Sequence, residues 1–154
     1  MPTLQTRYFD QLHYGDGDPF RFAAGIPGFE DHTAFLLIQQ PKTKPLVFLQ
    51  SLHDPAVCFV ALPARVADPE YRLELSVEEA AALDLPEAEM TQDSPDLLSL
   101  VLLTFVENAD PVVNLMSPIV LNLRARRGIQ AIQLGSNYSL RHTLTLESQA
   151  ATCS

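Results

Sequence analysis

Two stretches, Phe22-Ala23-Ala24-Gly25-Ile26-Pro27-Gly28-Phe29-Glu30 and Asn114-Leu115-Met116-Ser117-Pro118-Ile119-Val120-Leu121-Asn122, mark this chain as a β-protein. In the first, Pro27 and Gly28 occupy the central positions of a type II turn, because proline presets φ and glycine accepts the positive φ needed next. In the second, a Ser117-Pro118 entry leads into alternation. Ile119, Leu121 and Leu123 fall on one side and Val120, Asn122 and Arg124 on the other, the period of a strand. Neither stretch holds catalytic machinery, and Gly25, Pro27 and Gly28 read as backbone geometry.

Short strands are predicted around them at 6–9, 20–22, 34–39, 46–49, 57–62, 97–107, 119–125 and 129–134. Turn signals separate them: Gly15-Asp16-Gly17-Asp18-Pro19, Pro41-Lys42-Thr43-Lys44-Pro45, Asp54-Pro55, Asn108-Ala109-Asp110-Pro111, and Arg126-Arg127-Gly128, whose glycine is available for positive φ. The longest strand, 97–107, is apolar on both faces at its centre and calls for cover on both sides. Tyr71, Leu73 and Leu75 alternate with Arg72 and Glu74 as in a further strand. Then the period changes. Ser76-Val77-Glu78-Glu79 is a capping box, with Ser76 as N-cap and Glu79 reaching back. Glu78 and Glu79 also suit the positive end of a helix dipole. Pro86 closes the helix. The predicted fold is mainly β, a small antiparallel β-barrel or sandwich with one short helix at about 76–85. Residues 1–144 form a single domain, and 145–154 reads as an unpatterned, flexible tail.

A chain of 154 residues with 47% hydrophobic content supports one real core, aliphatic and Phe-rich because Trp is absent. No apolar run reaches the roughly 18 residues of a membrane span, and the N-terminus lacks a signal-peptide pattern, so a cytoplasmic protein with no membrane partner is expected. Cys58 sits in an apolar run as a free thiol, and no CxxC or His-Cys cluster suggests zinc. The net charge of −9 is uneven: between Val66 and Asp110 stand twelve acids and one base, Arg72, which leaves the rest of the chain slightly basic. Such a segment repels phosphate and attracts basic proteins, so direct nucleic-acid binding is disfavoured. The same acids also suit a plain solvated face.

Enzyme chemistry finds little footing. Neither Lys42 nor Lys44 follows a glycine in a phosphate-binding loop, and there is no GxSxG elbow. His13, His32, His53 and His142 are scattered without ligand spacing. No cofactor or metal is expected. Two alternatives stay open: a small-ligand-binding barrel, which needs inward polar groups, and a carboxylate hydrolase, which needs a converging acid pair.

With Leu49-Gln50-Ser51-Leu52-His53-Asp54-Pro55 and Asn137-Tyr138-Ser139-Leu140-Arg141-His142, the two opening stretches resemble the flagellar assembly factor FliW family, over roughly residues 8–144. The resemblance implies a non-enzymatic regulatory module that binds flagellin and antagonises the RNA-binding translational regulator CsrA, coupling flagellin synthesis to assembly. The candidate partner-binding residues are Glu70, Glu74, Glu78 and Glu79 from the acidic segment. Asn114, Asn122, Arg141 and His142 join them from the family-like motifs, although both asparagines are equally suited to bonding loops internally.

Overall fold

Ala34-Phe35-Leu36-Leu37-Ile38-Gln39 begins a meander whose strands are joined by the predicted turns. The computed structural model describes residues 3–5, 11–13, 18–86 and 94–144. Thr3–Gln5 (β1) pairs with Gln11–His13 (β2) in a separate ribbon. The main sheet runs antiparallel from Phe20–Arg21 (β3) through Ala34–Gln39 (β4), Val47–Ser51 (β5) and Cys58–Pro63 (β6) to Leu97–Thr104 (β7). Val112–Val113 (β8) pairs with the far end of β7. Ile119–Asn122 (β9) pairs with the start of β7 and turns back into Arg127–Gln130 (β10). A single parallel pair, Arg127 with Arg21, joins β10 to β3 and closes a ring of seven strands. His142–Thr143 (β11) adds to β8 outside the ring.

Burial explains the closure. Phe20, Phe22, Phe35, Leu49, Leu100 and Leu121 fill the interior, with the Phe22 and Phe35 rings edge to face at 5.2 Å. Leu97, Val101 and Val120, on the other faces of β7 and β9, pack into a second core with Tyr71, Leu73, Ala80 and Leu83. The central strands are thus covered on both sides, as the apolar run of β7 required. Gly128 is where the two strands of the seam meet the interior: a Cβ there would stand 2.4 Å from the Phe22 ring.

Several expectations shift. Ala64–Ala67 (α1) forms a second short helix beside the expected one, Val77–Ala82 (α2). The capping box is present, but α2 ends at Ala82 and the chain leaves it through Asp84 (φ 55), before Pro86. Leu85 N donates to Ala80 O and Asp84 N to Ala81 O, a Schellman closure. The stretch Tyr71 to Leu75 keeps its alternation, with Tyr71 and Leu73 buried, yet joins no ladder. Side chains hold it instead: Glu74 N donates to Gln133 Oε1 and Gln133 Nε2 to Glu74 O, both at 2.8 Å, while the Tyr71 hydroxyl donates to Leu115 O at 2.6 Å. In the β9–β10 turn positive φ falls on Arg126 (φ 57) rather than on Gly128, which packing claims. The expected strand at 6–9, the loop at 15–17 and the tail at 145–154, with Cys153, lie outside the described residues. No helix among the described residues is long and apolar enough to cross a membrane.

Candidate functional site

The first conspicuous stretch and the acidic helix, far apart in sequence, face each other across a groove. One wall is the turn at Ile26–Phe29: Phe29 N donates to Ile26 O at 2.6 Å, and Gly28 takes φ 88 as type II geometry demands. The opposite wall is α2, through Glu78, Glu79 and Ala82. Gly128, Ile129 and Gln130 of β10 form the floor, and Ala24, Gly25, Pro27 and Glu30 complete a lining that encloses about 310 Å³. Small residues make the walls and three carboxylates stand on them. Glu30 is exposed and its carboxyl is held below the usual range chiefly by the Gly28 N–H, which donates to it at 2.9 Å.

The acidic candidates divide by role. Glu70, Glu74 and Glu78 are exposed, on the approach to α2 and at its first turn. The Glu79 carboxylate is already engaged: Oε1 accepts from Ser76 N and Oε2 from Ile132 N, each at 2.9 Å, so it fastens the helix to the chain that follows β10. Beside that fastening, Val77, Ile132 and Leu134 are 66%, 51% and 81% exposed.

The asparagines turn inward. Asn122 is 0% exposed; its Nδ2 donates to Leu83 O at 2.8 Å and its Oδ1 accepts from Arg124 N and Ala125 N. It therefore ties the end of α2 to the β9–β10 turn and presents nothing to a partner. Asn114 Oδ1 accepts from Met116 N and Ser117 N, shaping the entry to β9. Arg141 is exposed, and His142 lies in β11 opposite Val113, on the appended strands rather than at the groove.

The Leu49 to Pro55 stretch builds a loop. Gln50, fully buried, points the two N–H of Nε2 into a ring of carbonyls from Ser51, Asp54, Pro55 and Val57, and its Oε1 has no hydrogen-bond partner among the described residues. Ser51 Oγ lies 2.7 Å from His32 Nδ1 and accepts from His53 N and Asp54 N. A buried hydroxyl that already receives two backbone donors staples the loop, and it is shut away from any substrate. His32 and His53, remote in sequence, come within 5.9 Å, but no group of three or more metal-ligating side chains occurs among the described residues.

Ala24, Ala82, Gly128, Ile129 and Gln130 line the groove yet carried no signal of their own, being small or strand-like residues without chemistry. The pairing of β3 with β10 and the fastening of α2 by Glu79 and Asn122 bring them together.

Fold and site together define a small closed β-barrel with a side-chain-filled interior and an acidic-walled groove on its outside. The FliW protein family model matches residues 3–144. The chain belongs to the FliW family. It is 33% identical over 141 residues to the flagellar assembly factor FliW of Syntrophomonas wolfei, spanning 91% of this chain and 86% of that protein. It is 32% identical to the one from Geobacillus kaustophilus, spanning 96% and 98%. A crystal structure of the flagellar assembly factor FliW superposes with a TM-score of 0.83 at 32% identity, over 95% of this chain and 99% of that one.

Proposed function

We propose that this chain is a non-enzymatic regulatory protein of the cytoplasm that binds flagellin and antagonises the translational regulator CsrA, so that flagellin synthesis follows flagellar assembly. The carrying observation is family membership, since the relatives are named flagellar assembly factors. The exposed carboxylates of Glu70, Glu74 and Glu78 support the second half of the reading. An RNA-binding regulator carries basic surface, and acidic residues on a rigid helix and its approach steer such a partner into contact. Antagonism then needs only that occupancy by one partner lowers affinity for the other.

A filled interior counts against the small-ligand barrel: Phe20, Phe22 and Phe35 occupy the space a ligand would need. The test is capture of purified flagellin and purified CsrA, each alone and then in competition. Both are retained, and saturating flagellin releases CsrA. Retention of neither overturns the proposal.

A further inference from the structure

Past Arg127, no strand among the described residues lies beside the outer edge of β10. Ala131 N donates to Pro118 O and Gln133 N to Met116 O, so the odd-numbered residues here turn their backbone groups toward the β9 side. The even-numbered ones face the other way. Arg126 O accepts from Arg21 N at 2.9 Å, and Ile132 N donates to Glu79 Oε2 at 2.9 Å. Between these two anchors the Gly128 C=O and both backbone groups of Gln130 therefore open into the groove, by the alternation of an extended chain. Strand β3 cannot follow β10 that far. After Phe22 the chain reverses, with Gly25 N donating to Phe22 O and Gly25 at φ 67.

An open strand edge inside an apolar groove is a template for another strand. Ala24, Gly25 and Ala82 leave room for backbone to come close. Among the described residues the charges that line the space are Glu30, Glu78 and Glu79, with no lysine or arginine. We infer that the groove takes an extended segment of a partner protein by strand addition to β10, the segment alternating Lys or Arg with small apolar residues. Its cations meet the wall carboxylates, and its backbone meets Gly128 and Gln130. The bonds anchored at Arg126 and Ile132 limit the insert to a few residues, on the order of 10–15 Å of strand. The carboxylates exclude nucleic acid by repulsion. This inference rests on reading the chain as a protein-binding module, and not on which protein it binds.

The probe is a short fluorescent peptide alternating lysine with valine, compared with the same peptide N-methylated at every backbone amide. Methylation keeps the charge and the apolar surface but removes the strand donors. The unmodified peptide binds more tightly by about tenfold or more. Ala82→Trp, which fills the groove from α2, abolishes that difference, and amide exchange at Gln130 in the unaltered protein slows when the peptide is bound. Equal affinity of the two peptides reduces the effect to charge attraction and overturns the inference, as does unchanged exchange at Gln130, a readout that does not depend on the variant folding. Concentration-dependent dimerisation that protects Gln130 without peptide assigns the edge to a second copy instead and equally overturns it. Flagellin and CsrA capture, run in parallel, separates the two claims. Capture without peptide discrimination removes only the strand-addition inference, and discrimination without capture removes only the named partners.

Discussion

Gly25→Ala and Gly28→Ala form a matched pair, three positions apart and in very different surroundings. Both glycines sit at positive φ, 67 and 88, where an L side chain costs roughly 1–2 kcal/mol. At Gly28 a new Cβ meets nothing within 4 Å, so that backbone cost is the whole effect. At Gly25 the Cβ stands 2.6 Å from the carbonyl oxygens of both Phe29 and Glu30 and 2.7 Å from Glu30 Cα. These are backbone atoms and cannot rotate aside. Relief requires the Ile26–Phe29 turn to open, which adds about 1–3 kcal/mol of overpacking. Gly28→Ala should therefore lose about 1–2 kcal/mol and Gly25→Ala about 2–5 kcal/mol. At 2–4 °C per kcal/mol for a chain of this size, the first lowers Tm by about 2–8 °C and the second by about 4–20 °C. Calorimetry on both variants, with urea unfolding as a check, measures the gap. Equal losses would refute the reasoning, because they would mean the close approach at Gly25 relaxes without cost.

Glu78→Lys should slow CsrA association and flatten its salt dependence while shifting stability by only a few tenths of a kcal/mol, as stopped-flow rates at several ionic strengths and a melt would show. Glu79→Ala should instead cost about 1–2 kcal/mol, since both carboxylate oxygens hold backbone N–H groups. Asn122→Leu, checked by urea unfolding, should cost on the order of 2–4 kcal/mol by stranding Leu83 O, Arg124 N and Ala125 N. Burial lifts the Cys58 thiol from 9.0 to about 11, favouring the neutral form in the folded chain. Its contribution to stability is intact below the unfolded value and fades as pH rises through the folded one. Mass-spectrometric mapping of alkylation at about pH 8 should find Cys58 far slower in native than in urea-unfolded protein.

Local signals in the sequence were the dependable ones. The capping box at Ser76 and Glu79 was legible because both partners lie within one helical turn, and the Pro27-Gly28 turn because φ demands are written in residue type. Tyr71 to Leu75 shows where such reading stops: alternation reports burial parity and is silent on whether a ladder or a single buried glutamine holds the segment. Arg126 takes the positive φ, and Gly128 instead makes room for the Phe22 ring, a contact between strands at the seam that no local pattern announces. The groove was invisible for the same reason: the β3–β10 pair brings the turn wall to the floor, and the Glu79–Ile132 bond brings the α2 wall, both between residues far apart in sequence. Asn122 misled by chemistry, since an amide on an apolar strand reads equally as a contact or as an internal tie.

That single pair between β10 and β3 also sets an order of events on the ribosome. Arg126 reaches back to the Asp18 carbonyl, 108 residues earlier, so the ring cannot shut until its last strand has been synthesised. At about 5–20 residues per second the interval is roughly 5–20 s, during which Phe20, Phe22 and Phe35 wait on an open ring. The groove inherits this delay, because its floor is β10 itself. A nascent chain therefore has no complete groove, and the groove arrives in one step, with closure.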